Sequence, residues 1–363
     1  MRVTYLDIHE GDTILSIAKR AGLSVPSIIR RHNWLALPNN KIVDFSIPSH
    51  LTSLQLTDIL PPLTQEEEEL FYIENITAKD FPFETVAKYR CEQLVMTKLD
   101  GVVRNHAETK REFLVKKILL NHGLYVRVSL SDNAITVYPN AMSEAVNLLS
   151  EIDMVKCDFV CKVDPNTGYI EDIITHQELI SRWNKLKEDL ALRYDFLRTP
   201  EIRQKVEDFI KIVDSQITDM PSLLQDLKTK VFFDLFFDRY LVVNEPGTDS
   251  YSRNFYSQLF DGLPVDLDFK QECLSESPDT ITIKKEGKVQ EKTLNKEQIA
   301  ALYDAKYKPM IRYKFSDYNY EYQESCIINT TRDCLLDYAD VLIREEVRNN
   351  IELITDYKLR RIE

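Results

Sequence analysis

Residues 10–25, Glu-Gly-Asp-Thr-Ile-Leu-Ser-Ile-Ala-Lys-Arg-Ala-Gly-Leu-Ser-Val, decide the fold of the first fifty positions. Gly11 is suited to a turn that needs a positive φ, and Asp12 is a good N-cap, its carboxylate able to accept from the unpaired N–H groups of the next turn. Ile14, Ile17, Ala18 and Ala21 then recur at helical spacing. Gly22 stands where a helix ends, and Ser24 caps a second helix whose inner face is Val25, Ile28 and Ile29. Upstream, residues 3–8 alternate as a short strand with one buried face. Downstream, His32-Asn33-Trp34 runs into a loop over 35–40, and Ile42, Phe45 and Ile47 read as a second strand closed by Pro48. The predicted order is β-α-α-β within residues 1–50.

That order, carried by Tyr5, Gly11-Asp12-Thr13-Ile14, Ser16-Ile17-Ala18, Gly22-Leu23-Ser24-Val25, Ile28, Asn33 and Ile47-Pro48, resembles the LysM family over residues 3–48. The resemblance implies a shallow groove for N-acetylglucosamine-containing glycans such as peptidoglycan or chitin. One wall would be Gly11, Asp12, Thr13 and Ile14, and the other Asn33, Trp34 and Leu35. Backbone and amide groups suit an N-acetyl group, and Ile14 or Trp34 suits an apolar sugar face. Three of these residues have a second reading: Asp12 as a helix cap, Asn33 as the brace of its own turn, Trp34 as a seam to the next domain. Family members usually carry a glycine before the final strand, in a segment such as Val-Gly-Gln-x-Leu. Residues 42–48 lack it and are a few residues shorter, which implies an altered groove floor.

Charge separates this module from the rest. Residues 1–50 carry six Lys and Arg against four Asp and Glu, a net +2, whereas the whole chain of 363 residues carries −13 and the remainder therefore −15. An acidic chain lacks the cations that neutralise phosphates, so nucleic acid is excluded as the main partner. Hydrophobic residues at 44% are enough to bury a core, which excludes a disordered chain. No apolar run is long enough for a membrane span, and the first residues do not read as an export signal, so a cytoplasmic protein is expected. Cys157 and Cys161 lack CxxC or histidine partners and read as buried thiols; no metal or other cofactor is expected.

Residues 51–70 read as a linker, stiffened by Pro61-Pro62 and charged at Glu66–Glu69. The body, 71–363, divides into a β-rich part over 71–175, a helical block over 176–245 and a second β-rich part over 246–363. Its expected elements include a hairpin turning at Ser131-Asp132-Asn133, a helix over 141–152, and a hairpin across 164–168. Trp183 is expected in the core of the first long helix. A further hairpin is expected through Gly287, a strand over 310–315, and a row of Tyr318, Tyr320 and Tyr322 packing across strands. The fold class is α+β: a small N-terminal βααβ module joined to a larger antiparallel β body with an inserted helical block.

Catalytic signatures such as GxSxG, a P-loop, GxGxxG or HExxH are absent from the sequence, and no spacing sets two carboxylates across a cleft. A non-enzymatic, peptidoglycan-binding LysM protein with a structural or adaptor body is therefore the first expectation. The alternative is an intracellular LysM connector joining protein subunits of a phage-tail-like baseplate or contractile injection apparatus. An unrecognised cell-wall hydrolase is the third.

Overall fold

The computed structural model describes residues 2–78, 80–120, 123–140, 143–194, 200–243, 247–277 and 279–363. The chain divides into two compact units, residues 1–85 with 116–126, and residues 86–115 with 127–363.

In the first unit β1 (Val3–Asp7) pairs antiparallel with β2 (Ser53–Thr57), setting Leu6 opposite Leu54. Helices α1 (Ile14–Ala21) and α2 (Val25–Leu35) connect them. The predicted apolar stripes meet the strands' inner face: Ile14, Ile17, Ala18, Val25, Ile28, Ile29, Leu54 and Leu56 are all buried. The second strand is therefore not the segment 42–48. It comes from the stretch read as a linker, which also holds the start of helix α3 (Gln65–Asn75), capped by Thr64 and Glu67.

Residues 42–47 make a tight turn instead. Ser46 N donates to Val43 O at 2.9 Å, and Asp44 and Phe45 both take positive φ, 48° and 65°. This is the geometry of a type I′ turn, which favours Asn-Gly over Asp-Phe. Phe45 is nonetheless buried, edge-on to Phe81 at 5.3 Å and Phe71 at 5.9 Å. Burying a phenyl ring contributes about 2–3 kcal/mol, which offsets the roughly 1–2 kcal/mol that the left-handed backbone costs at Phe45 itself. The spacing had signalled this, since steps of three and then two between Ile42, Phe45 and Ile47 break the period of a strand.

The strands of the second unit belong to an 11-stranded sheet, in the order β7-β6-β5-β4-β3-β13-β12-β11-β10-β9-β8. Strands β3 (Thr85–Leu99), β4 (Val102–Leu120), β5 (Gly123–Tyr138), β6 (Asp158–Val163) and β7 (Ile170–Ile173) proceed outward to one edge. Strands β8 (Asp249–Tyr256), β9 (Pro264–Ser277), β10 (Thr280–Val289), β11 (Tyr318–Asn329), β12 (Leu335–Val347) and β13 (Ile351–Arg361) return from the other edge. β13 then closes antiparallel on β3. Between the two runs lie α5 (His176–Tyr194), α6 (Pro200–Thr218), α7 (Met220–Thr229) and α8 (Val231–Phe236), the expected helical block. Trp183 is fully buried there and donates to Asp214 at 2.8 Å.

One face of the sheet is apolar. Tyr89, Phe113 and Phe159 from β3, β4 and β6 pack on Phe232, Phe233 and Phe236 of α8. Tyr318, Tyr320 and Tyr322 are buried against Phe255, Phe260 and Phe269. Three expected elements differ, and a fourth is present with shifted bounds. The segment 131–133 lies inside β5, which runs unbroken to Tyr138. The helix expected over 141–152 is α4 (Ser143–Lys156); Ala141 and Met142 lie outside the described residues. Gly287 is not a turn but part of β10, where a Cβ would stand 2.7 Å from the Phe269 ring. After α9 (Lys296–Lys306), residues 308–311 form a short helix, α10, and not a strand.

Candidate functional site

The turn after β1 is held by its own side chains. Gly11 takes φ 83° with open space around it. The Asp12 carboxylate accepts from His9 N at 2.9 Å, Ser16 Oγ at 2.9 Å and the Arg20 guanidinium at 2.8 and 3.2 Å. Arg20 first, then the His9 amide, holds this carboxyl well below the usual carboxylate range. The N-cap of α1 is Thr13, one residue later than expected, and it trades hydrogen bonds with Ser16 in a capping box. Ile14 is 2% exposed and belongs to the core, so it presents no face to a ligand.

At the far end of α2, Asn33 braces the following loop. Its Nδ2 donates to Ile42 O at 2.9 Å, and Ile42 N donates to its Oδ1 at 2.8 Å. Leu35 is half-buried. Trp34 stands opposite the helix's buried stripe of Val25, Ile28, Ile29 and His32 and is 63% exposed, followed by Leu37 at 71%.

Of the seven residues the resemblance singles out, Asp12, Thr13 and Asn33 are thus engaged inside their own loops, and Ile14 is buried. Trp34 is open to solvent, as is the backbone at Gly11. Among the described residues no hydrogen bond joins the 11–14 segment to 33–35. Sequence reasoning assigned no role in shaping this region to Arg20, Ser16 or His32. His32 Nδ1 accepts from Gln55 N at 3.1 Å, so its Nε2 carries the proton that Asn40 O accepts at 2.9 Å, tying α2 to β2. The signal was present, since His32 falls on the buried stripe with Val25, Ile28 and Ile29.

The second unit gathers charge beneath its sheet. Lys285 Nζ lies 2.6 Å from Asp238 and 2.8 Å from Glu324, which also accepts from Tyr322 Oη at 2.6 Å. Burial opposes the ammonium, yet Glu324 and Asp238 outweigh it and hold the Lys285 pKa well above its ordinary value. Glu345, fully buried, accepts from Ser257 Oγ, Gln258 N at 2.8 Å, Leu259 N at 3.1 Å and Tyr318 Oη at 2.8 Å. Burial raises its pKa, and the four donors act against that rise. These groups are enclosed and mutually satisfied, an arrangement that fixes strand and turn positions.

Two open depressions lie on this unit, the first bordered also by Lys285 and Glu324. One of 440 Å³ sits between Lys284, Glu286, Asp340, Asp356 and Lys358. Another of 630 Å³ has Leu99, Leu353 and Tyr307 below Arg104 and Lys306. Among the described residues no cluster of His, Cys, Asp or Glu is placed to hold a metal ion. No helix among them is long and apolar enough to cross a membrane.

No protein-family model matches the chain, and no curated protein sequence matches it.

Proposed function

We propose that the protein is a non-enzymatic, LysM-like binding protein whose βααβ module docks on an N-acetylglucosamine-containing glycan such as peptidoglycan, with the acidic second unit as its structural or adaptor part. The observation that carries this reading is Trp34: a 63%-exposed indole at the end of a helix, beside a loop fixed by the Asn33–Ile42 pair. An exposed indole on a rigid support stacks on an apolar sugar face with little ordering cost. Gly11 adds open backbone on the turn after β1.

The test is co-sedimentation of the full chain with insoluble peptidoglycan and with chitin. Binding to either, reduced about tenfold or more by Trp34→Ala, supports the reading. A chain that stays in the supernatant with both polymers sinks it.

One observation favours a second reading, that of a connector between protein subunits in a phage-tail-like baseplate or contractile injection apparatus. The polar side chains that a sugar would bind, Asp12, Thr13 and Asn33, are already bonded internally. Large apolar side chains stand among the exposed residues instead, with Tyr5, Trp34, Leu37 and Val43 each more than 60% exposed, and such residues suit a protein surface. Copurification of tail subunits, lost on Trp34→Ala while peptidoglycan is ignored, would decide for the connector.

A further inference from the structure

The two edges of the large sheet are built differently. An uncovered edge strand offers unpaired N–H and C=O groups to any other chain, and proteins usually blunt it by shortness, charge, proline or a bulge. The β7 edge has three of these devices. It is four residues long, carries Glu171 and Asp172, and its pairing with β6 shifts register between Lys162 and Val163.

The β8 edge has few of them. It is eight residues long, pairs with β9 without a register shift from Asp249 through Tyr256, and contains no proline or lysine. Its solvent-side residues are Ser250, Ser252, Asn254 and Tyr256, all exposed and uncharged. Ser257 N bonds to Leu263 O, which sets the ladder so that the odd-numbered residues of β8 bond to β9. The even-numbered residues therefore turn their N–H and C=O groups away from the sheet, where Ser250 N donates to the Asp249 carboxylate at 2.7 Å, a bond that pairing with a further strand would replace. The two charges are placed differently: Arg253 is tied to Asp234 at 2.5 Å and lies over the Phe255 ring, and Asp249 stands at the strand's first position.

We propose that the β8 edge pairs antiparallel with β8 of a second copy of this chain, joining two sheets across a two-fold axis at Ser252. The strand is self-complementary in that register. Ser252 meets Ser252 of the second copy, Ser250 meets Asn254, Tyr251 meets Arg253, and Asp249 meets Phe255. Residues that face the same side of the sheet stay together, no like charges oppose each other, and Tyr251 meets a guanidinium across the axis. Moving the axis to Arg253 would set two arginines face to face, which disfavours that register. A two-fold contact of this kind uses the same patch on both partners and closes on itself, so it ends at a dimer.

The test is the mass of the full chain in solution, by light scattering or sedimentation across a range of concentrations. A concentration-dependent species of twice the 42.5 kDa monomer mass is expected. Ser252→Lys sets two ammonium groups against each other on the axis and should return the chain to monomer with its circular dichroism unchanged. Ser252→Cys supplies the positive counterpart. Residues directly opposed in an antiparallel pair have Cα atoms about 5.5 Å apart, within disulfide range. Mild oxidation should cross-link this variant, and the wild-type chain should not cross-link. A monomer at every concentration overturns the proposal, as does a dimer indifferent to Ser252→Lys. A monomer whose β8 instead takes up an added extended peptide also overturns the second copy as occupant.

Discussion

The two units handle polar groups in opposite ways. In the first, polar side chains are spent on its turns: Asp12 with Arg20, Thr13 with Ser16, Asn33 with Ile42. Its exposed surface, otherwise polar, also carries large aromatic and aliphatic groups such as Trp34 and Leu37. In the second, ionised groups lie under the sheet, Lys285 with Asp238 and Glu324, and the open face of the sheet is mixed and charged. A unit with a small core uses polar groups to fix its loops, and its capacity for recognition moves to what protrudes. A broad sheet can enclose paired charges, and its capacity for recognition moves to its edge.

That contrast can be broken most severely at Lys285. Lys285→Met leaves Asp238 and Glu324 facing each other without a cation, and removing one partner of a buried network costs about 3–5 kcal/mol. Denaturant unfolding followed by Trp183 emission, in a Trp34→Phe background, reads this in the second unit. A loss under about 1 kcal/mol would show that the charges are not enclosed.

Phe45 gives the next effect, in the first unit. Phe45→Ala should cost about 3–5 kcal/mol, because the ring packing is lost while alanine keeps the same backbone strain. Phe45→Gly should be about 1 kcal/mol milder than Phe45→Ala, since glycine accepts the positive φ. Equal costs for the two variants would mean that the turn stores no strain.

A smaller loss is expected for Asn33→Ala, about 1–2 kcal/mol, as the Ile42 N–H and C=O both lose a partner. If the site is a glycan groove lined by the amide itself, this variant abolishes sedimentation with peptidoglycan. If Asn33 acts only as a brace, binding weakens in step with stability.

The mildest effect concerns acid. The Asp12 carboxyl titrates below its unfolded value, so its contribution is complete above the ordinary carboxylate range and is lost as pH falls through and below it. The protection of α1 amides against hydrogen exchange, taken relative to the intrinsic rate at each pH, should fall below about pH 4. Arg20→Gln should reduce that pH dependence; an unchanged profile would separate Asp12 from α1.

Much of this architecture was legible. The stripes at Ile14-Ile17-Ala18 and Val25-Ile28-Ile29 gave both helices because burial of one face follows directly from period. The row Tyr318, Tyr320 and Tyr322 likewise lies in β11 and packs across strands, and the 164–168 turn joins β6 to β7. The misreadings share a cause. Asp44-Phe45 and Gly287 were read by residue type, and tertiary packing overrode that type. An aromatic cluster holds Phe45 in a glycine-like conformation, and a neighbouring ring requires glycine in the middle of β10. At the candidate site the residues were found but their engagement was not. Arg20 is eight positions from Asp12 and Ile42 nine from Asn33, and nothing in local spacing announces such pairs.

The closure of β13 on β3 carries a consequence for biosynthesis. Lys98 and Glu352, which meet at 3.0 Å across this seam, are 254 positions apart in sequence. A ribosome at about 5–20 residues per second therefore delivers the second strand of the seam at least ten seconds after the first. Throughout that interval the nascent chain exposes the β3 flank that later becomes the middle of the sheet. The central seam is thus the last to be sewn, and a chain ending before Ile351 would be left with two half-sheets and an open strand on each.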